Sequence, residues 1–161
     1  MELECGNTLN GRIDLRFVSH PGLFSALVKY AQFGFRQTHV EAILPDGRSI
    51  ASWFYGGVQV KPAGYDVGAY SHELRVSITC TEAQQAAFYA FMRSQIGKPY
   101  DALAIVAFAA GRDWQEPDSW FCSELIAAAL VEAGIFPAIL AAAANKITVK
   151  DAAFISAAKA G

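Results

Sequence analysis

Cys122 stands in the run Trp120-Phe121-Cys122-Ser123-Glu124-Leu125, where an apolar pattern of helical period begins. A cysteine at a helix start meets free peptide N–H groups and the positive end of the helix dipole. Both favour a thiolate, and the same amides can hold a developing oxyanion. The position equally suits a small core residue, because free cysteines are often buried. His39 opens a second run, Thr38-His39-Val40-Glu41-Ala42-Ile43-Leu44. On a strand His39 and Glu41 share one face, while Val40, Ala42 and Leu44 take the other. Glu41 can then orient the imidazole and favour its charged form, as the third member of a triad does. The alternative is a half-solvated face, on which His and Glu are ordinary.

The remaining candidates carry less chemistry. Cys80 alternates with Val76 and Ile78 and reads as core, and Cys5 belongs to the N-terminal stretch. His20 falls in a turn, and His72 with Glu73 opens a strand in a polar stretch. No His or Cys pair has metal-ligand spacing on one element, so no metal is expected. Gly56-Gly57 is a lone pair rather than a phosphate-cradling loop, and no cofactor is expected.

The elements that must position these residues change period half-way along the chain. Ile13 to Val18 alternates as a strand, and Pro21-Gly22 breaks it. Leu23, Leu27, Val28 and Ala31 recur at helical spacing up to Gly34. Thr38 to Leu44 and Ser49 to Tyr55 form a hairpin about Pro45-Asp46-Gly47, Val58 to Val60 stays extended, and Glu73 to Cys80 alternates as a strand. Thr81 with Gln84 then makes a capping box for a helix whose face carries Phe88, Phe91, Met92 and Ile96. An apolar segment follows from Ala102 to Ala110, then a polar turn-rich stretch to Asp118. A helix runs from Ser119 or Cys122 to Gly134, a short one from Pro137 to Asn145, and a last one is capped by Thr148 with Asp151. The order strand, helix, antiparallel strands, then helices indicates an α+β domain with segregated layers.

The 161 residues suit a single domain, residues 1–161. With 53% hydrophobic and 17% charged residues the chain can bury a substantial core. Its formal net charge of -2 argues against a nucleic-acid binder and gives no electrostatic pull toward an anionic membrane. The acidic start Met1-Glu2-Leu3-Glu4-Cys5 lacks the apolar region of a secretory leader, and Ala102–Ala110 is about half a membrane span. The expectation is a cytoplasmic protein; a phage-encoded one has the same look.

Three segments in order resemble a known family: Thr38 to Leu44 with its hairpin, Gly97-Lys98-Pro99-Tyr100-Asp101, and Phe121-Cys122-Ser123-Glu124-Leu125-Ile126. The order is similar to the circularly permuted NlpC/P60 cysteine hydrolases of the YiiX/YaeF type, papain-like enzymes in which the histidine strand precedes the cysteine helix. The resemblance spans about residues 38–134. It implies a papain-like permuted α+β fold with an antiparallel sheet against helices. It implies Cys122 as nucleophile, His39 as its base and Tyr100 as the family's tyrosine beside the nucleophile, where substrate binds. The family's third member comes from the strand after the histidine strand. Here that strand offers only Ser49 and Ser52, so Glu41 is the expected orienting group and Ser52 its rival.

The function implied is an amidase or peptidase acting through a Cys–His thioester, on cell-wall-type peptides or other amide substrates. Two alternatives stand beside it: a lipid acyltransferase or thioesterase of the same fold, and a non-catalytic binding or structural module.

Overall fold

The computed structural model describes residues 9–31, 34–101, 118–137 and 147–160. The expected Ala102–Ala110 segment, most of the stretch after it, nearly all of the Pro137–Asn145 helix and Cys5 lie outside them, as do the side chains of Leu23, Leu27 and Ala31. The strands are β1 (Gly11–Ser19), β2 (His39–Ile43), β3 (Ser49–Trp53), β4 (Gly57–Lys61) and β5 (His72–Cys80). The helices are α1 (Leu23–Ala31), α2 (Glu82–Ser94), α3 (Cys122–Glu132) and α4 (Val149–Ala158). The fold is α+β, with one five-stranded antiparallel sheet in the order β4-β3-β2-β1-β5.

Period-two patterning fixes which side chains meet. Ile13, Leu15 and Phe17 of β1, Val40 and Ala42 of β2, Ile50 of β3, and Val76, Ile78 and Cys80 of β5 are buried in one cluster with the helices. Phe88 and Met92 of α2 and Leu125, Ile126 and Ala129 of α3 complete that core. The Thr81 box forms as expected: the Thr81 hydroxyl accepts from the Gln84 amide at 3.1 Å, and the Gln84 side chain accepts from the Thr81 amide at 3.1 Å. Thr148 and Asp151 do the same for α4. Ile96 departs from its expected place. Helix α2 ends at Ser94, so Ile96 leaves the helical face and is half exposed.

Topology dictates the opposite face. Strands β4 and β5 are consecutive in sequence but lie at opposite edges of the sheet. Their connection must cross four strand spacings, about 19 Å. It does so as a series of turns from Pro62 to Ser71, closed by Tyr65 N–H to Pro62 O, Val67 N–H to Gly64 O and Ala69 N–H to Asp66 O bonds. The crossing ends where the Ser71 amide donates to Ser19 O at 3.0 Å.

Candidate functional site

The register sets Arg16 opposite Glu41 and Val18 opposite His39. His39 and Glu41 therefore share the sheet face away from the core helices, as their spacing predicts. The part of that face around them is not half-solvated: Glu41 is fully buried and His39 is 9% exposed. The crossing loop covers it. Tyr65 Oη donates to Glu41 Oε2 at 2.9 Å and itself accepts from Trp53 Nε1 at 3.0 Å.

Glu41 has a stronger partner than the histidine. Arg16 Nη1 donates to Glu41 Oε1 at 2.7 Å and to Asp66 Oδ1 at 3.0 Å, and Ser49 Oγ donates to Glu41 Oε1 at 3.0 Å. Burial alone would lower the Arg16 pKa. The hydrogen bonds and charges of Asp66 and Glu41 outweigh it and hold the guanidinium above its ordinary value. His39 Nε2 approaches Glu41 Oε2 only to 4.0 Å, and this buried nitrogen makes no hydrogen bond. Glu41 thus faces the imidazole without bonding it, while Arg16, Ser49 and Tyr65 bond its two oxygens. Burial, reinforced by the charges of His20, Lys61 and Arg16, lowers the His39 pKa to about 3, so the ring is neutral at pH 7.

Cys122 begins α3, as its sequence position predicts. The Glu124 side chain reaches back to accept from the Phe121 amide at 3.3 Å and closes the first turn. The cysteine is 1% exposed and belongs to the core cluster with Val40 and Ala42. The backbone amides of Val40, Ser123 and Cys122 lie near the sulfur and favour its thiolate, yet burial dominates and pushes the thiol up to about 12. Strands β2 and β3 pair only at Ala42–Ile50 and Ile43–Ser49, so the ladder has ended before Val40. The sulfur lies near that strand end, beside the amide of the residue after His39. No hydrogen bond joins Cys122 and His39 among the described residues. Ser52 is engaged elsewhere: its Oγ donates to Trp120 O at 2.7 Å and anchors the approach to Cys122.

A cleft of about 640 Å³ opens beside His39, with His20, Thr38, Trp53, Tyr55 and Tyr100 among its walls. Cys122 does not line it; Tyr100 is the link between the two. The Tyr100 ring packs 5.7 Å from Phe121, and burial, then the charges of Cys122 and Asp101, raise its pKa well above the ordinary range. Its segment is positioned by a close approach at Gly57, where Val58 N–H donates to Lys98 O and Gly97 N–H donates to Val58 O, both at 2.9 Å. Tyr100 then bridges to Trp120 on the way to Cys122.

Sequence reasoning missed Arg16, Tyr65 and Asp66 and set His20 aside. Arg16 had a signal: a charge in the middle of an otherwise apolar strand needs a buried partner. Tyr65 and Asp66 had none, because only the strand order brings their loop across the sheet. Among the described residues no helix is long and apolar enough to cross a membrane, and no cluster of three or more His, Cys, Asp or Glu could hold a metal ion. No known family model matches the chain, and no curated protein matches it.

Proposed function

We propose that the chain is a cysteine hydrolase of the permuted NlpC/P60 type, cleaving an amide bond with Cys122 as nucleophile and His39 as its base. The observation that carries this reading is the packing of the Cys122 helix start on β2, which places the buried thiol in one cluster with Val40. It brings the thiol against the strand that carries His39. Glu41 faces Nε2 of the ring, which leaves Nδ1 for the thiol proton. The proton passes from sulfur to Nδ1, the thiolate adds to the carbonyl carbon, and the tetrahedral oxyanion collapses. The C–N bond breaks, the amine takes the proton from the ring, and a thioester remains for water to resolve.

The neutral thiol and neutral imidazole describe a resting state. Charge separation is unfavourable until substrate enters past Tyr100, because both groups are buried. Glu41 and the three amides offset that cost when the pair forms. Hydrolysis of an activated ester such as p-nitrophenyl acetate tests the reading. The expected result is a burst that leaves one acetyl group on Cys122 by peptide mass spectrometry and is absent in Cys122→Ala. Acetyl transfer that persists in Cys122→Ala would sink the assignment.

A further inference from the structure

The cleft holds a second histidine that this mechanism does not use. His20 follows β1, is 27% exposed at its side chain, and lines the cleft beside His39, with 6.0 Å between the ring centroids. Its Nε2 lies 3.1 Å from Asp66 Oδ2. Asp66 is buried, and its other oxygen accepts from Arg16 at 3.0 Å. A carboxylate ion-paired to arginine only accepts, so His20 Nε2 carries the hydrogen of this bond. In the neutral ring Nδ1 keeps its lone pair, and it makes no hydrogen bond to the described residues. A buried carboxylate fixing the tautomer of an imidazole whose other nitrogen is available is the arrangement of a general base.

We propose that His20, positioned by Asp66, is the base that activates water in this cleft. The proposal rests on the hydrolase reading for the identity of the electrophile. In the step it assigns, water attacks the thioester carbonyl carbon and its proton passes to His20 Nδ1. The C–S bond breaks, the acid departs, and the proton on His20 passes through cleft water to His39 and from it to the Cys122 sulfur. The division of labour follows exposure. His39 is the more buried ring, on the strand against which the Cys122 helix packs, while His20 is the ring that water in the cleft meets first.

The test uses the full chain and two probes. With p-nitrophenyl acetate, His20→Gln should keep the burst on Cys122 and lose turnover by roughly 100-fold, the lower range for a general base, so that acetyl-Cys122 accumulates. Asp66→Asn should move turnover the same way by a smaller factor. Turnover in His20→Gln within two-fold of wild type overturns the proposal. So does loss of burst and turnover together in a variant that melts like wild type, because His20 would then serve the first step.

The second probe, diethyl pyrocarbonate, acylates unprotonated imidazole nitrogens and needs no thiol. In the wild-type protein His20 should be modified faster than His39. Asp66→Asn should slow His20 several-fold relative to the exposed His72 in the same molecules. Equal rates at His20 and His39, or an unchanged His20 to His72 ratio, overturn the proposal. A wild-type protein without an ester burst defeats the hydrolase reading alone, and the second probe then decides His20.

Discussion

At the scale of single residues, Arg16 governs the outer face of the sheet. Its guanidinium bonds both Glu41 and Asp66, and its Nε lies 3.3 Å from Glu73. Removing one partner of a buried ion pair costs about 3–5 kcal/mol, because the other charge is left desolvated. Arg16→Met keeps much of the volume and strands two carboxylates. It should therefore destabilise the protein by about that amount in urea unfolding. Glu41→Gln should cost less, since an amide still accepts from Ser49 or Tyr65. These variants separate structure from chemistry. If Glu41 matters to His39 only through its charge, Glu41→Gln should slow the p-nitrophenyl acetate burst by roughly ten-fold, about 1.4 kcal/mol of lost support for the imidazolium. A burst rate unchanged in a folded Glu41→Gln protein would confine Glu41 to the Arg16 network.

At the scale of elements, local signals account for most of what the sequence revealed. Alternation located the strands because each buries one face against the helices, and Val76, Ile78 and Cys80 point inward as their spacing predicts. Thr81 with Gln84 and Thr148 with Asp151 located helix starts because a capping box is complete within four residues. The candidate site was legible only as parts. Cys122, His39 and Tyr100 carry local signatures, whereas the partners of Glu41 and His20 come from a loop whose path depends on strand order. One contact between elements gives a direct test. A Cβ on Gly57 would lie 2.1 Å from Lys98 O, and the residue has φ of 64°. Left-handed backbone alone costs a non-glycine residue about 1 kcal/mol or more, and the clash adds to it. Gly57→Ala should thus lower stability by about 1–3 kcal/mol and displace the segment that carries Tyr100. The expected signature is faster iodoacetamide labelling of Cys122 with unchanged labelling of Cys80, read by peptide mass spectrometry. Equal acceleration at both thiols would mean general loosening of the core instead.

At the scale of the whole molecule, the buried neutral groups set the pH range in which the fold is stable. His39 is lowered from an unfolded value near 6.5 to about 3, with burial as the main cause. Between those values the unfolded chain holds a proton that the folded chain refuses. Stability from this group is thus complete above pH 6.5, falls as pH drops through the window, and is fully lost below about pH 3. One proton taken up on unfolding gives a slope of about 1.4 kcal/mol per pH unit inside the window. Cys122 acts at the other end. Its folded value, raised from 9.0 to about 12, leaves stability complete below pH 9 and eroding as pH rises toward 12. Tyr89, raised by burial to about 12, adds to that alkaline loss above pH 10. The acid limb offers the cleaner test, because one histidine dominates it and substitution can remove it. Urea unfolding from pH 7.5 to 4.5 should show stability falling below pH 6.5. In His39→Gln, which has no proton to refuse, the curve should stay flatter across pH 6.5 to 5, above the carboxylate range. Steepness that persists there in His39→Gln would assign the acid limb to other groups and imply that His39 is free to protonate in the folded protein.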